Sequence, residues 1–98
     1  PELDSATAKT SAFNAAAGKK YYVDTTSSAI TATLPASPTV GDSIQFIDFA
    51  GTFATNNLTL GRNGNKVLRV AADGVVDQNN FAMIWEYTGS THGWLPVS

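Results

Sequence analysis

The sequence predicts an all-β protein: a small antiparallel β-sandwich or barrel of about seven short strands. Two observations carry this prediction. Apolar and polar residues alternate with a period of two through most of the chain after residue 19, which is typical of half-buried strands. Turn-forming residues also recur roughly every 8–12 residues, a spacing typical of antiparallel sandwiches and small barrels. At 98 residues, the chain has the length of a single domain.

The N-terminal segment Pro1–Gly18 departs from this pattern. It shows neither a helical stripe nor strand alternation, and Leu3 and Phe13 are its only large apolar residues. We therefore expect an irregular arm or linker over 1–18, followed by a single β domain over 19–98. Leu3 and Phe13 would anchor the arm on a partner, with the arm extended, or helical only when docked. A frayed terminus is the alternative interpretation.

The first strands of the domain are predicted from alternation and from the residues that end it. Tyr21–Val23 is rich in strand formers and stops at a polar turn. In Ala29–Leu34 the apolar side chains fall on one face and two threonines on the other. Pro35 and Pro38 end this strand, because proline cannot donate a hydrogen bond to a β-ladder.

The following strand, Ser43–Ala50, carries apolar residues on both faces near its end. Phe46 lies on one face, Ile47 and Phe49 lie on the other, and Phe53 follows just beyond. A strand of this kind is either central in its sheet or covered by a second surface. We therefore predict that these four residues form a surface for self-association.

The strongest local signal is the Asn-Gly turn that follows Leu60. A three-residue loop, Asn63–Asn65, would pair Leu60 with Leu68 and Leu58 with Val70 on one face of a hairpin. A two-residue loop would instead place a charged side chain beside the core. We favour the longer loop, which predicts that Leu68 is a core residue.

The last third of the chain is expected to hold three strands. A short one follows the Asp73-Gly74 turn, and the aromatic strand Phe81–Thr88 places Trp85 on its core face. Trp94–Val97 closes the fold as an edge strand, because it contains a proline. Among the aromatic residues, Tyr22 and Trp94 are the ones we expect to be exposed, where they could contact a glycan.

The composition excludes several classes of function. Only 14% of residues are charged and the net charge is −2, which argues against a basic nucleic-acid interface. The polar surface is neutral, with twelve Thr, eight Ser and seven Asn. Apolar runs are too short to span a membrane, and we expect no signal peptide because its charged, apolar and cleavage regions are not found.

The sequence does not predict a catalytic or cofactor site. There is no cysteine and only one histidine, His92, which excludes thiolate zinc sites and multi-histidine metal centres. Five of the six aspartates sit at or near predicted turns, where their usual role is to cap backbone N–H groups: Asp24, Asp42, Asp48, Asp73 and Asp77. We therefore expect a non-enzymatic protein with no catalytic residue, no cofactor and no metal.

From about Lys19 to Val97 the chain resembles a small β domain of tailed-phage virion proteins, chiefly tail and head fibres. The likeness is one of order and spacing, and it is carried by Tyr22–Thr26, Ile30–Pro38 with Gly41-Asp42, Phe53–Leu60 with Arg62–Gly64, and Glu86–Gly89 before Trp94. Members of that family usually trimerise within longer fibre chains. This chain contains no fibre shaft, heptad stem or collagen-like repeat.

The resemblance implies a structural protein of the virion, assembled in the host cytoplasm. Its expected partners are other copies of itself, in a homotrimer, and the major capsid protein or other virion proteins. We expect it to decorate or cement a capsid or to form a fibre module, docking through its N-terminal arm. A carbohydrate- or receptor-binding β-sandwich is the alternative.

Overall fold

A computed structural model describes residues 1–98, which form nine short strands and no helix. Seven of these strands match segments that the sequence predicts, and only the two-residue strands near the N-terminus do not. The strands are β1 (Glu2–Leu3), β2 (Phe13–Asn14), β3 (Lys19–Val23), β4 (Ile30–Thr33), β5 (Ser43–Asp48), β6 (Leu58–Gly61), β7 (Gly74–Val76), β8 (Ile84–Tyr87) and β9 (Trp94–Pro96). The all-β prediction is confirmed.

The strands form two mixed sheets, so the predicted antiparallel sandwich or barrel is confirmed only in part: the sheets do not close into a barrel, and several strand pairs are parallel. The five-stranded sheet has the order β1-β3-β5-β8-β9, and the four-stranded sheet has the order β2-β4-β6-β7. From β1 to β6 the chain crosses to the other sheet after every strand. Over this part of the chain, consecutive strands of one sheet therefore run parallel, as β3 and β5 do. The other pairs are antiparallel: β6 with β7, β5 with β8, and β8 with β9.

The N-terminal segment is part of this fold, which corrects the expectation of an irregular arm. β1 pairs with β3 and β2 pairs with β4, so residues 1–18 supply one edge strand to each sheet. Between them, the Lys9 N–H donates to the Tyr22 carbonyl oxygen at 2.8 Å. Strands of two residues leave no alternation in the sequence, so the segment gave no local sign of pairing.

One hydrophobic core lies between the two sheets. Its sixteen buried side chains come from both of them, and its largest fully buried members are Trp94, Phe46 and Phe53. Trp85 is buried as predicted, with 4% of its surface exposed. Alternation along each strand sends every second side chain inward, which is why the two inner faces meet as one core.

The Asn-Gly turn forms, but the hairpin predicted around it does not. Asn63 and Gly64 have φ angles of 48° and 89°, as a turn with two left-handed residues requires. However, β6 pairs with β7, so that Leu58 lies opposite Val76. Leu68 is consequently 46% exposed and not a core residue. The turn instead attaches to the end of β4, where Asn63 Nδ2 donates to the Leu34 carbonyl oxygen at 3.0 Å.

Candidate functional site

The outer faces of the two sheets differ in chemistry. On the four-stranded sheet the outward positions are polar or small except at the edge strand β7: Asn14, Thr31, Thr33, Thr59, Gly61 and Val75. Thr31 lies opposite Thr59, and Asn14 lies opposite Thr33. This face can be hydrated through hydroxyl and amide groups, so it needs no partner.

The outer face of the five-stranded sheet carries more apolar residues than that of the four-stranded sheet, together with some polar and charged ones. Register shows which residues share it, since Leu3 lies opposite Lys20 and Tyr22 lies opposite Ile47. We call the outward apolar residues of this sheet the apolar sheet face: Leu3, Tyr22, Ile47, Phe49, Ile84, Leu95 and Val97. All seven are partly or fully exposed. Lys20, Ser43, Gln45 and Glu86 lie on the same outer face, so polar side chains separate some of the apolar ones. An exposed apolar patch beside polar residues is typical of an interaction site.

An aromatic pair lies at one corner of the apolar sheet face. The ring centroids of Tyr22 and Phe49 are 5.5 Å apart, and Phe49 is 55% exposed. The Phe49 N–H donates to the Val23 carbonyl oxygen at 2.9 Å, which continues the ladder past the end of β5. The pair is therefore held in place by backbone pairing and presents ring surface to solvent.

The four residues predicted for self-association divide between the surface and the core. Ile47 and Phe49 belong to the apolar sheet face. Phe46 and Phe53 are fully buried, which corrects their assignment to a contact surface. Phe46 points inward because it is one residue out of phase with Ile47 along the strand. Phe53 lies in the loop after β5, and its backbone N–H donates to the buried Asp48 carboxylate at 3.2 Å.

The two predicted arm anchors both contact the protein's own sheets. Leu3 lies on β1 at the edge of the apolar sheet face. The Phe13 ring packs 4.9 Å from Tyr21 and 6.4 Å from Phe46, centroid to centroid. Phe13 therefore fastens the N-terminal segment to the core of its own subunit, where it is not free to anchor on another protein.

The two predicted glycan contacts differ in exposure. Tyr22 is half-buried and belongs to the aromatic pair described above. Trp94 is fully buried and packs against Tyr87, with ring centroids 5.4 Å apart, so the expectation that it is exposed is wrong. Trp94 begins β9, and the first residue of this strand faces inward, which the sequence around it does not reveal.

A pocket that sequence reasoning missed is lined mainly by β7 and the segment that leads into β8, with Leu68 and Pro96 completing it. Its volume is about 180 Å³, and six of its nine lining residues are hydrophobic, among them Leu68, Val75, Met83 and Trp85. Leu68, Val75 and Met83 are all exposed by 38% or more. The sequence did not indicate this pocket, because the hairpin predicted around the Asn-Gly turn assigned Leu68 to the core.

Titratable groups do not gather into a reactive centre. No group of three or more His, Asp or Glu side chains is placed to hold a metal ion. The pKa of Asp24 is lowered, because its carboxylate accepts hydrogen bonds from the Thr26 hydroxyl and backbone N–H. The pKa of Lys19 is raised by its hydrogen bond to Glu2. Both are local turn and edge contacts outside the apolar sheet face.

Comparison with known proteins adds no family assignment. The chain matches no protein-family model and no curated protein sequence. No helix of the structure has the length and apolar character required to cross a membrane. The apolar sheet face and the pocket are the two surface features that could bind a partner or a ligand.

Proposed function

We propose that this chain is a non-enzymatic structural protein of a tailed-phage virion. It decorates or cements the capsid or forms a fibre module, and it works as a homotrimer whose copies meet through the apolar sheet face. The difference between the two outer faces is the observation that carries the proposal. One face is lined by threonine and asparagine, and the opposite face carries Tyr22, Ile47, Phe49 and Ile84 beside the polar Lys20, Gln45 and Glu86.

The position of the apolar sheet face in the fold supports a contact between copies. Ile47 lies on β5, the central strand of the five-stranded sheet, opposite Tyr22 on β3, so this part of the apolar sheet face is held on a rigid, hydrogen-bonded surface beside Gln45 and Lys20. Burial of such a surface is the main favourable term in protein association. A closed ring of identical copies covers every such face and leaves none exposed.

We propose three copies and a location in the virion because the chain resembles phage fibre domains, which usually trimerise. The low charge of the chain supports the same conclusion, because closely packed copies on a shell experience little mutual repulsion. The N-terminal segment is paired within its own subunit. We therefore assign the contact between copies to the sheet face and not to residues 1–18.

Ile47→Lys tests the proposed contact, with Thr31→Lys as the matched control. Both positions are β-branched and outward-facing on interior strands, one on each sheet. Sedimentation equilibrium of the unmodified chain should give three times the 10.3 kDa of one chain. Ile47→Lys should give monomer and Thr31→Lys should remain trimeric. A monomer at every concentration of the unmodified chain would refute self-association.

The virion location needs a separate measurement. Immunogold labelling of purified phage particles with antiserum against this chain should decorate the capsid surface or the fibres. Absence of label from intact particles, with label in the host lysate only, would refute the virion assignment while leaving the trimer intact.

A carbohydrate-binding function remains the second candidate, and the Tyr22–Phe49 pair favours it. Partly exposed aromatic rings on a rigid sheet can stack against the apolar face of a sugar ring. Retention on a glycan array that is lost in Tyr22→Ala would support this function. A trimer in which Tyr22 is buried between copies would exclude it.

A further inference from the structure

Two residues of opposite charge lie on the outer face of the five-stranded sheet. They are Lys20 on β3 and Glu86 on β8, and no other outward position on the strands of this sheet is charged. The central strand, β5, runs between β3 and β8, so the two charges lie on opposite sides of the middle of the face. A face with one positive and one negative side can complement a second copy of itself.

Neither charge is neutralised within its own subunit. Both ion pairs of the chain involve other residues and hold the N-terminal segment. Lys20 is opposite Gln45, and Gln45 is opposite Ile84, which is two residues from Glu86. The two charged residues are therefore two strands and two residues apart, with about 12 Å between their Cα atoms. Both side chains are half-buried and remain available to a residue from outside the subunit.

The residues beside the two charges repeat one arrangement. Lys20 lies opposite Leu3 on the edge strand β1, and Glu86 lies opposite Leu95 on the edge strand β9. Each side of the face therefore has one leucine on the edge strand and one charged residue on the next strand inward. When the β1–β3 side of one copy meets the β8–β9 side of another, leucine can face leucine and lysine can face glutamate.

We propose that Lys20 of one copy forms an ion pair with Glu86 of the next copy in the assembly. This inference rests on the proposed function, in which copies meet through the apolar sheet face. In a ring, each copy uses its β1–β3 side against one neighbour and its β8–β9 side against the other, so a trimer contains three equivalent pairs. The pair selects the register of the contact, because other registers would bury a charge without a partner.

Charge reversal at the two positions tests the pair in sedimentation equilibrium of the whole chain. Lys20→Glu and Glu86→Lys each replace three attractive contacts with three repulsive ones. Each should therefore raise the concentration at which half of the chain is trimeric by at least about tenfold. The double variant restores opposite charges at every contact, so it should return that concentration to within about threefold of the unmodified chain. Such a rescue also shows that neither single substitution acts by unfolding the domain.

Arg69→Glu and Asp77→Lys are the matched controls. Each makes the same change in net charge as one of the test variants, and both positions are exposed and lie outside the five-stranded sheet. Both controls should leave the trimer unchanged. If they weaken association as much as the test variants do, the effect belongs to net charge and the pair is refuted.

An equimolar mixture of the two single variants tests the ring. A contact between unlike variants restores opposite charges, whereas a contact between like variants is repulsive. A ring of three always contains at least one contact between like variants, so the mixture should associate more strongly than either variant alone but more weakly than the unmodified chain. Full restoration in the mixture would indicate a two-fold contact and overturn the ring of three.

Two results would overturn the pair while leaving the trimer intact. One is unchanged association of both single variants, and the other is a double variant that associates no better than the single ones. A monomeric unmodified chain would instead refute the proposed self-association, and this inference with it.

Discussion

Replacing Asp48 with Ala should destabilise the fold more than replacing the other turn aspartates, because one carboxylate holds two loops. Asp48 ends β5 and is 93% buried, since only 7% of its surface is exposed. Its oxygens accept the backbone N–H groups of Thr52 at 3.0 Å, Phe53 at 3.2 Å and Asn80 at 3.0 Å. The two loops that pack over this end of the core therefore meet at a single side chain.

The magnitude follows from these three bonds. The Phe53 N–H is buried and would lose its only side-chain acceptor, at a cost of about 1–3 kcal/mol. The other two N–H groups lie nearer the surface, where water can replace the carboxylate, so each costs about 0.5–1.5 kcal/mol. The total is about 2–6 kcal/mol, a large share of the roughly 5–15 kcal/mol that stabilises a domain of this size.

Urea unfolding monitored by tryptophan fluorescence provides the assay, with Asp42→Ala as the control. With a slope of about 2 kcal/mol per molar, a loss of about 4 kcal/mol lowers the Asp48→Ala midpoint by about 2 M. Asp42 accepts a single exposed N–H, that of Thr39 at 2.8 Å, so its replacement should lower the midpoint by less than about 0.7 M. Equal shifts for the two variants would refute the reasoning.

Three other predictions concern the edges of the fold. Gly93→Ala should cost at least about 2 kcal/mol in urea unfolding, because φ is 73° and a Cβ would overlap the Lys66 backbone. Unchanged stability would show that this loop moves freely. Deletion of residues 1–18 should cost about 3 kcal/mol or more, since it uncovers aromatic core and removes an edge strand from each sheet. An unchanged urea midpoint would show that residues 1–18 are an arm that does not stabilise the fold. The hydrogen bond from Lys19 to Glu2 raises the Lys19 pKa above 10.5, so its stabilisation is complete below pH 10.5 and is lost as pH rises through the raised value. NMR titration of the Lys19 ammonium should show this pKa fall in Glu2→Gln.

Local chemistry accounts for what could be predicted. β4, β5 and β8 lie within the segments that alternation assigned to strands, because alternation depends only on which side chains avoid water. The expectation that aspartates cap turns is confirmed for Asp24, Asp42, Asp48 and Asp73, each of which accepts a backbone N–H. These contacts lie within turns or at the ends of strands, where Asp is commonly found because its carboxylate accepts backbone N–H groups.

The candidate surfaces could be predicted only in part. Ile47 and Phe49 were recognised because an apolar residue on the outer face of a strand breaks the usual alternation. Phe46 and Phe53 were wrongly grouped with them, since the sequence does not say which face the second sheet covers. The pocket depends on Leu68 and Pro96 being brought beside the segment that contains β7 and the start of β8. Seven of its nine lining residues lie between positions 75 and 85, but Leu68 and Pro96 come from other parts of the chain, and no short motif links them.

The amino-acid sequence by itself determined the β class, the turns and the inward or outward phase within each strand, because these depend on side-chain hydrophobicity and local backbone preference. Only the tertiary structure decided which strands are neighbours and in which direction they run. Every residue except proline offers the same backbone donor and acceptor, so pairing of β3 with β5, or of the two-residue β1 with β3, leaves no mark on composition. Leu68 shows the consequence. Its sequence context favours the core, but its N–H pairs with the Trp94 carbonyl oxygen, and that distant contact turns the side chain outward.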